Sequence, residues 1–111
     1  MAEYPDVTNV TALAAELLQQ ARGHPARRTA RTLVSGTVQR VTLIALADGA
    51  ELAEHDAPAA ATLQVLSGRI RLHAGDHERV LDSGDLAPVP AQRHGLQALT
   101  DAAVLLTVAL S

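Results

Sequence analysis

The 111-residue sequence predicts an all-β domain preceded by one N-terminal helix. Three observations carry that prediction. Residues 9–22 repeat apolar side chains at three- and four-residue spacing, the period of an amphipathic helix. From residue 29 onward the text changes to short β-branched or alternating runs. Those runs are divided by Ser-Gly, Asp-Gly and Gly-Asp pairs, and several strands at regular spacing with such turns form an antiparallel sandwich or barrel. The expected division is a helix and linker over 1–28 and a β-barrel domain over 29–111.

In the helix, Val10, Leu13, Ala14, Leu17, Leu18 and Ala21 make one apolar stripe. Asn9 or Thr11 can cap its start, and Gly23 followed by Pro25 stops it. Glu16, Gln19 and Gln20 occupy the other face in place of a Lys/Arg belt, so the helix is expected to pack on the domain and not on a membrane. Arg22, Arg27, Arg28 and Arg31 gather around the linker, a solvated basic stretch, and His24 reads as a loop residue.

Strands are expected at Thr29 to Val34, Thr37 to Ala47, Ala60 to Leu66, Arg69 to Leu72, Glu78 to Leu81, Leu86 to Val89, Leu96 to Leu99 and Ala103 to Leu110. Two hairpins are expected, one turning at Ser67-Gly68 and one at Gly75-Asp76. His73 and His77 flank the tip of the second and are expected to face solvent. The second and last strands are apolar on both faces: Val41, Leu43 and Ala45 oppose Ile44 and Leu46, while Val104, Leu106 and Val108 oppose Leu105, Ala109 and a single Thr107. Such strands need cover on both sides, from the N-terminal helix or from another subunit, and a homodimer is the expected assembly.

Composition excludes several functions. The absence of cysteine removes disulfides, thiol nucleophiles and Cys-ligated metals. A net charge of −3 lacks the basic surplus of a nucleic-acid module, so no nucleic-acid partner is expected. No apolar run reaches the roughly 18 residues of a membrane span, and the N-terminus has no secretory pattern, so a cytoplasmic protein with no membrane partner is expected. Tyr4 is the only aromatic residue, which leaves base-stacking and sugar-stacking surfaces without their usual side chains. The serines sit in turns or at the C-terminus with no nucleophile elbow, His55 and Asp56 fall on opposite faces of an extended chain, and no catalytic residue is assigned.

The segment GAELAEHDAPAAATLQVLSG sets Gly49, His55, Ala57, Ala61 and Gly68 at a spacing that resembles the first signature of the cupin superfamily, G-x5-H-x-H-x3-E-x6-G. GDLAPVPAQRH, with Gly84, Pro90 and His94, is similar to the second, G-x5-P-x-G-x2-H. The resemblance covers roughly residues 37–110 and implies an RmlC-like antiparallel jelly-roll barrel, with the helix outside it. It also implies a divalent metal (Zn, Fe, Mn or Ni) held by two histidines and a glutamate of the first signature and a histidine of the second.

The chain departs from that set. His55 matches the first histidine and His94 the last, one residue early, but Ala57 and Ala61 stand where the second histidine and the glutamate belong. His55 and His94 alone make an incomplete metal site, since zinc sites usually take three or more protein ligands. Glu51 shares parity with His55 in an extended segment and is the nearest candidate for a replacement carboxylate. The resemblance together with these losses suggests a small-molecule-binding or sensing module with a weak or absent metal site. Its expected pocket is lined by His55, Ala57, Ala61, Leu63, Val65, His94 and Leu96. Two alternatives stand beside it: a divalent-metal dioxygenase, isomerase or decarboxylase using His55 and His94, and a structural or interaction dimer with a vestigial pocket.

Overall fold

A computed structural model describes residues 7–56 and 60–110. The helix α1 (Val10–Gly23) is followed by nine strands: β1 (Arg28–Ser35), β2 (Gln39–Leu46), β3 (Glu51–His55), β4 (Ala60–Ser67), β5 (Arg69–Ala74), β6 (His77–Asp82), β7 (Leu86–Pro88), β8 (His94–Ala98) and β9 (Ala102–Ala109). They form two antiparallel sheets, ordered β1-β2-β9-β4-β7 and β3-β8-β5-β6. The architecture is the expected all-β jelly roll with one N-terminal helix, built as two facing sheets.

Between the sheets lies the main core. Ile44, Leu46, Leu63, Val65, Ala102 and Val104 of the larger sheet meet Ile70, Leu72, Leu81, Leu96 and Ala98 of the smaller. The alternation of a strand decides which side chains enter it.

The outer face of the larger sheet carries a second core. Ala14, Leu17 and Ala21 of α1 bury Leu43, Ala45 and Ala103. The double-sided apolar character of β2 and β9 thus has its explanation within one chain, and this face does not require a second copy. Asn9 caps the helix, its side-chain oxygen accepting from the Ala12 N–H at 3.0 Å. Thr29 fastens the helix to β1 by donating to the Leu17 carbonyl at 2.8 Å. No helix among the described residues is long and apolar enough to cross a membrane.

Two expectations change. First, Glu51–His55 is a strand, although ELAEH is made of helix-favouring and charged residues without alternation. Pairing with β8 decides its conformation, an instance of tertiary context overriding propensity. Second, Ser67-Gly68 is not a hairpin. β4 belongs to one sheet and β5 to the other, so the chain there crosses between sheets. The Gly75-Asp76 hairpin forms as expected, closing between Ala74 and His77 with Gly75 at φ +58°.

Asp101 ties three segments together at one end of the molecule. Its carboxylate accepts from the Asp48 N–H at 2.8 Å and pairs with Arg22 of the helix at 2.8 Å. The Asp48 N–H first, and the Arg22 guanidinium second, hold its carboxyl below the usual carboxylate range. A depressed carboxyl stabilises the fold above its unfolded pKa, about 3.9, and that contribution is lost as pH falls through the lower folded value. Melting temperature should therefore fall as pH is taken below about 4, with part of that fall missing in Asp101→Asn. Parallel acid profiles of the two proteins would exclude the effect.

Candidate functional site

His55 and His94 come together at one mouth of the space between the sheets. They are cross-strand partners on β3 and β8, with ring centroids 4.5 Å apart and ring planes at 67°. His94 points inward with Leu96 and Ala98 by simple alternation, and only 5% of it is exposed.

His55 points inward for a different reason. Between the pairs Leu52↔Leu96 and His55↔His94, β3 advances three residues while β8 advances two. This one-residue bulge turns both Leu52 and His55 toward the interior. The same irregularity removes Glu51 from the site. Glu51 pairs with Gln97, whose side chain accepts from Arg71 at 3.4 Å on the outer face of the sheet. The shared parity of Glu51 and His55 expected for a plain extended chain does not survive the bulge.

Both imidazoles are oriented by backbone. Nδ1 of His55 lies 3.1 Å from the Ala53 carbonyl and Nδ1 of His94 lies 3.0 Å from the Gln92 carbonyl. A carbonyl only accepts, so each Nδ1 carries the proton, and in the neutral ring Nε2 presents a lone pair. No buried side-chain nitrogen or oxygen among the described residues lacks a partner. Nε2 of His94 has no protein partner there, so it opens toward the cavity.

The strand ends are held by a polar cluster on the rim. Arg93 contacts Asp56 at 3.2 Å, the Glu54 carbonyl at 3.1 Å and the Glu54 carboxylate at 3.7 Å. The same carboxylate lies 3.7 Å from Nδ1 of His73, which is only partly exposed and not free in solvent as the sequence suggested. The His73 ring lies over Gly95, where an added Cβ would stand 2.9 Å from Cε1 and 2.8 Å from the Leu52 carbonyl. Individually such exposed pairs contribute little stability, but together they link the residues adjoining both site histidines.

The cavity has two parts. Deep between the sheets, Ile44, Leu52, Leu63, Leu72 and Leu96 leave only about 30 Å³ beneath the histidines, room for about one water. Above them a mouth of about 270 Å³ is lined by Arg40, His55, Asp56, Ala61, Val89, His94, Leu106 and Val108. Of the residues expected in the pocket, His55, Leu63, His94 and Leu96 border the deep part and Ala61 the mouth. Val65 is fully buried in the core below and lines neither part, so it serves packing. Ala57 lies outside the described residues. Arg40 was not foreseen, although it shares the inward parity of Ile44 and Leu46 on β2. A larger depression, about 700 Å³ beside Val38, Thr62, Pro88 and Ala109, is an open apolar surface groove with no titratable side chain.

The donor set does not fit a tightly held divalent metal. Among the described residues no three His, Asp or Glu side chains are placed to hold a metal ion together. Ala61 stands on the wall in place of a carboxylate, Glu51 faces outward and Asp56 is paired with Arg93. Two imidazoles remain, fewer than zinc or non-haem iron sites use.

No family model and no curated protein matches the sequence. Solved structures do match the fold. A conserved protein of unknown function from Streptococcus pyogenes superposes with a TM-score of 0.75 at 22% identity, covering 99% of this chain and 91% of that one, so its match extends over the N-terminal helix. A cupin superfamily protein from Desulfitobacterium hafniense gives a TM-score of 0.71 at 19% identity, over 76% of this chain and 78% of its own. An RmlC-like cupin from Desulfovibrio desulfuricans gives 0.65 at 24% identity, over 74% and 81%. The two-sheet topology and these superpositions agree with the signature spacing around His55 and His94, and the chain has the RmlC-like cupin fold.

Proposed function

We propose that the protein is a small-molecule-binding module whose ligand sits at the mouth, above His55 and His94, and not deep between the sheets. The carrying observation is the 270 Å³ opening that combines an aliphatic wall with two backbone-oriented imidazoles. Pockets for drug-sized ligands begin at about 300 Å³, so the ligand is small. Alanine at position 61 supports the reading, because a glutamate there would occupy the space a ligand needs.

An NMR titration with small organic fragments tests this. Binders should shift resonances of His55, His94, Leu106 and Val108 together, and Ala61→Phe should abolish those shifts while leaving the fold intact. Fragments that bind only elsewhere would overturn the proposal.

A second reading, a divalent-metal enzyme, draws on the free Nε2 atoms of the two histidines. It needs a third ligand that the described residues do not offer. Elemental analysis of protein purified without tag or chelator, beside the His55→Ala, His94→Ala double variant, separates the readings. Near-stoichiometric metal lost in the variant would favour the enzyme; metal-free protein that still binds fragments at the mouth favours the module.

A further inference from the structure

Arg40 is the residue at the mouth that neither the fold nor the signature spacing accounts for. It stands on the inward-facing row of β2, the row that continues to Ile44 and Leu46 in the core, and its cross-strand neighbours are Val108 on β9 and Ser35 on β1. The residue is exposed, so its guanidinium keeps its hydration and stays accessible from the mouth. Six of the nine arginines are committed: Arg22 to Asp101, Arg69 to Asp82, Arg71 to Glu78 and Arg93 to Glu54 and Asp56 by ion pairs, and Arg27 and Arg28 to backbone carbonyls; of the remaining three, Arg31, Arg40 and Arg79, only Arg40 lines the mouth. Arg40 has no ion pair and no side-chain hydrogen bond among the described residues. The one carboxylate beside it at the mouth, Asp56, is already paired with Arg93 and its side chain is 93% exposed. The mouth therefore holds an uncompensated guanidinium, a planar fork of donors matched to a carboxylate.

The histidines ask for the opposite polarity. With Nδ1 donating to backbone carbonyls, each neutral ring offers an acceptor at Nε2. A carboxylate placed there would meet lone pairs, whereas a hydroxyl would donate to them. Between these polar ends the wall is aliphatic, from Ala61, Leu106 and Val108. With no aromatic side chain among these lining residues, the wall favours a short aliphatic body over a stacked ring.

We propose that the mouth binds a small aliphatic hydroxycarboxylate, its carboxylate on Arg40 and its hydroxyl donating to Nε2 of His55 or His94. This rests on the mouth being a ligand site and adds the chemical class of the ligand. No covalent step is involved.

Three probes separate the parts: 2-hydroxy-3-methylbutanoate, 3-methylbutanoate, which lacks the hydroxyl, and 2-methylpropan-1-ol, which lacks the carboxylate. Each is titrated into the full chain while the His55 and His94 ring resonances are followed. The hydroxy acid should bind tightest, with each partial probe weaker by about tenfold or more, about 1.4 kcal/mol. Arg40→Gln should weaken the hydroxy acid by a similar factor and leave the alcohol unchanged, and an unaltered melting temperature would show that the fold is kept. Equal affinity of Arg40→Gln and wild type for the acid, or an alcohol that binds as well as the acid, would overturn the hydroxycarboxylate assignment and leave the mouth as a ligand site. Failure of all three probes to move either histidine would overturn the hydroxycarboxylate assignment, and the fragment titration then decides whether the binding reading beneath it falls as well.

Discussion

Gly68→Val should leave little or no folded protein. Gly68 sits at φ +81°, in the left-handed region, where a side chain costs about 1–2 kcal/mol by sterics alone, more for a β-branched one. Packing makes the position worse. A Cβ at residue 68 would lie 2.1 Å from the Asp101 carbonyl oxygen and 2.9 Å from the Ala102 Cα. Both are backbone atoms of the turn into β9, so no rotamer change relieves the overlap. The same corner holds hydrogen bonds from the Leu99 N–H to the Arg69 carbonyl at 2.9 Å and from the Arg69 N–H to Thr100 Oγ1 at 3.0 Å. Moving the turn aside would break them.

Gly84 supplies the control, with φ +91° and nothing within 4 Å of the point where a Cβ would stand. Gly84→Ala should cost only the backbone strain, about 1–2 kcal/mol, and Gly68→Ala clearly more. Urea unfolding of the two alanine variants makes the comparison even if the valine variant never folds. Equal losses would show that the corner can yield.

The second large effect belongs to the helix. Leu17, 2% exposed, is the most deeply buried of the leucines α1 places against Leu43, Ala45 and Ala103. Leu17→Ala removes buried methyl groups and leaves a void between helix and sheet, a change that typically costs about 2–5 kcal/mol. Domains of this size are stable by about 5–15 kcal/mol in all, so the loss is a large share. The helix should loosen first, exposing the apolar outer face of β2 and β9 and promoting self-association. Denaturation midpoints and light scattering read both consequences. Leu13→Ala, at a half-buried position in the same stripe, should cost less. Because the helix and the mouth lie on opposite faces of the larger sheet, fragment binding at the mouth should persist in Leu17→Ala wherever the protein remains folded. A midpoint no lower than that of Leu13→Ala would mean that α1 contributes little to stability.

The helix was legible in the sequence because its evidence is local: Asn9 at the cap, Leu17 and Ala21 on one stripe, Gly23 at the end. The same holds for the Gly75-Asp76 hairpin, where a two-residue turn joins strands that pair directly. Gly68 shows the limit of local evidence. Ser-Gly between two apolar runs reads as a turn, and a turn it is, but nothing within those residues says whether the strands on either side pair or part company. That choice depends on β9 and β7 reaching β4, and on β8 and β6 reaching β5.

β3 shows a second limit. ELAEH carries no strand pattern of its own, and its bulge exists only because β8 pairs with it. A bulge shifts every later side chain to the other face. Parity in a plain extended chain therefore puts Glu51 beside His55, whereas the paired sheet holds it on the opposite surface.

By itself the sequence determined the order of the elements other than β3, the two-sided burial of β2 and β9, and the two histidines at signature spacing with alanine between them. Each of these is written in residues close together or in a repeated period. Only the tertiary structure decided that His55 and His94 meet at 4.5 Å, that leucines fill the space beneath them, and that Arg40 joins them at the mouth. Those facts arise where strands far apart in the chain are brought into register across two sheets, and the bulge, crossover and facing of side chains that result come from pairing energies that no single segment contains.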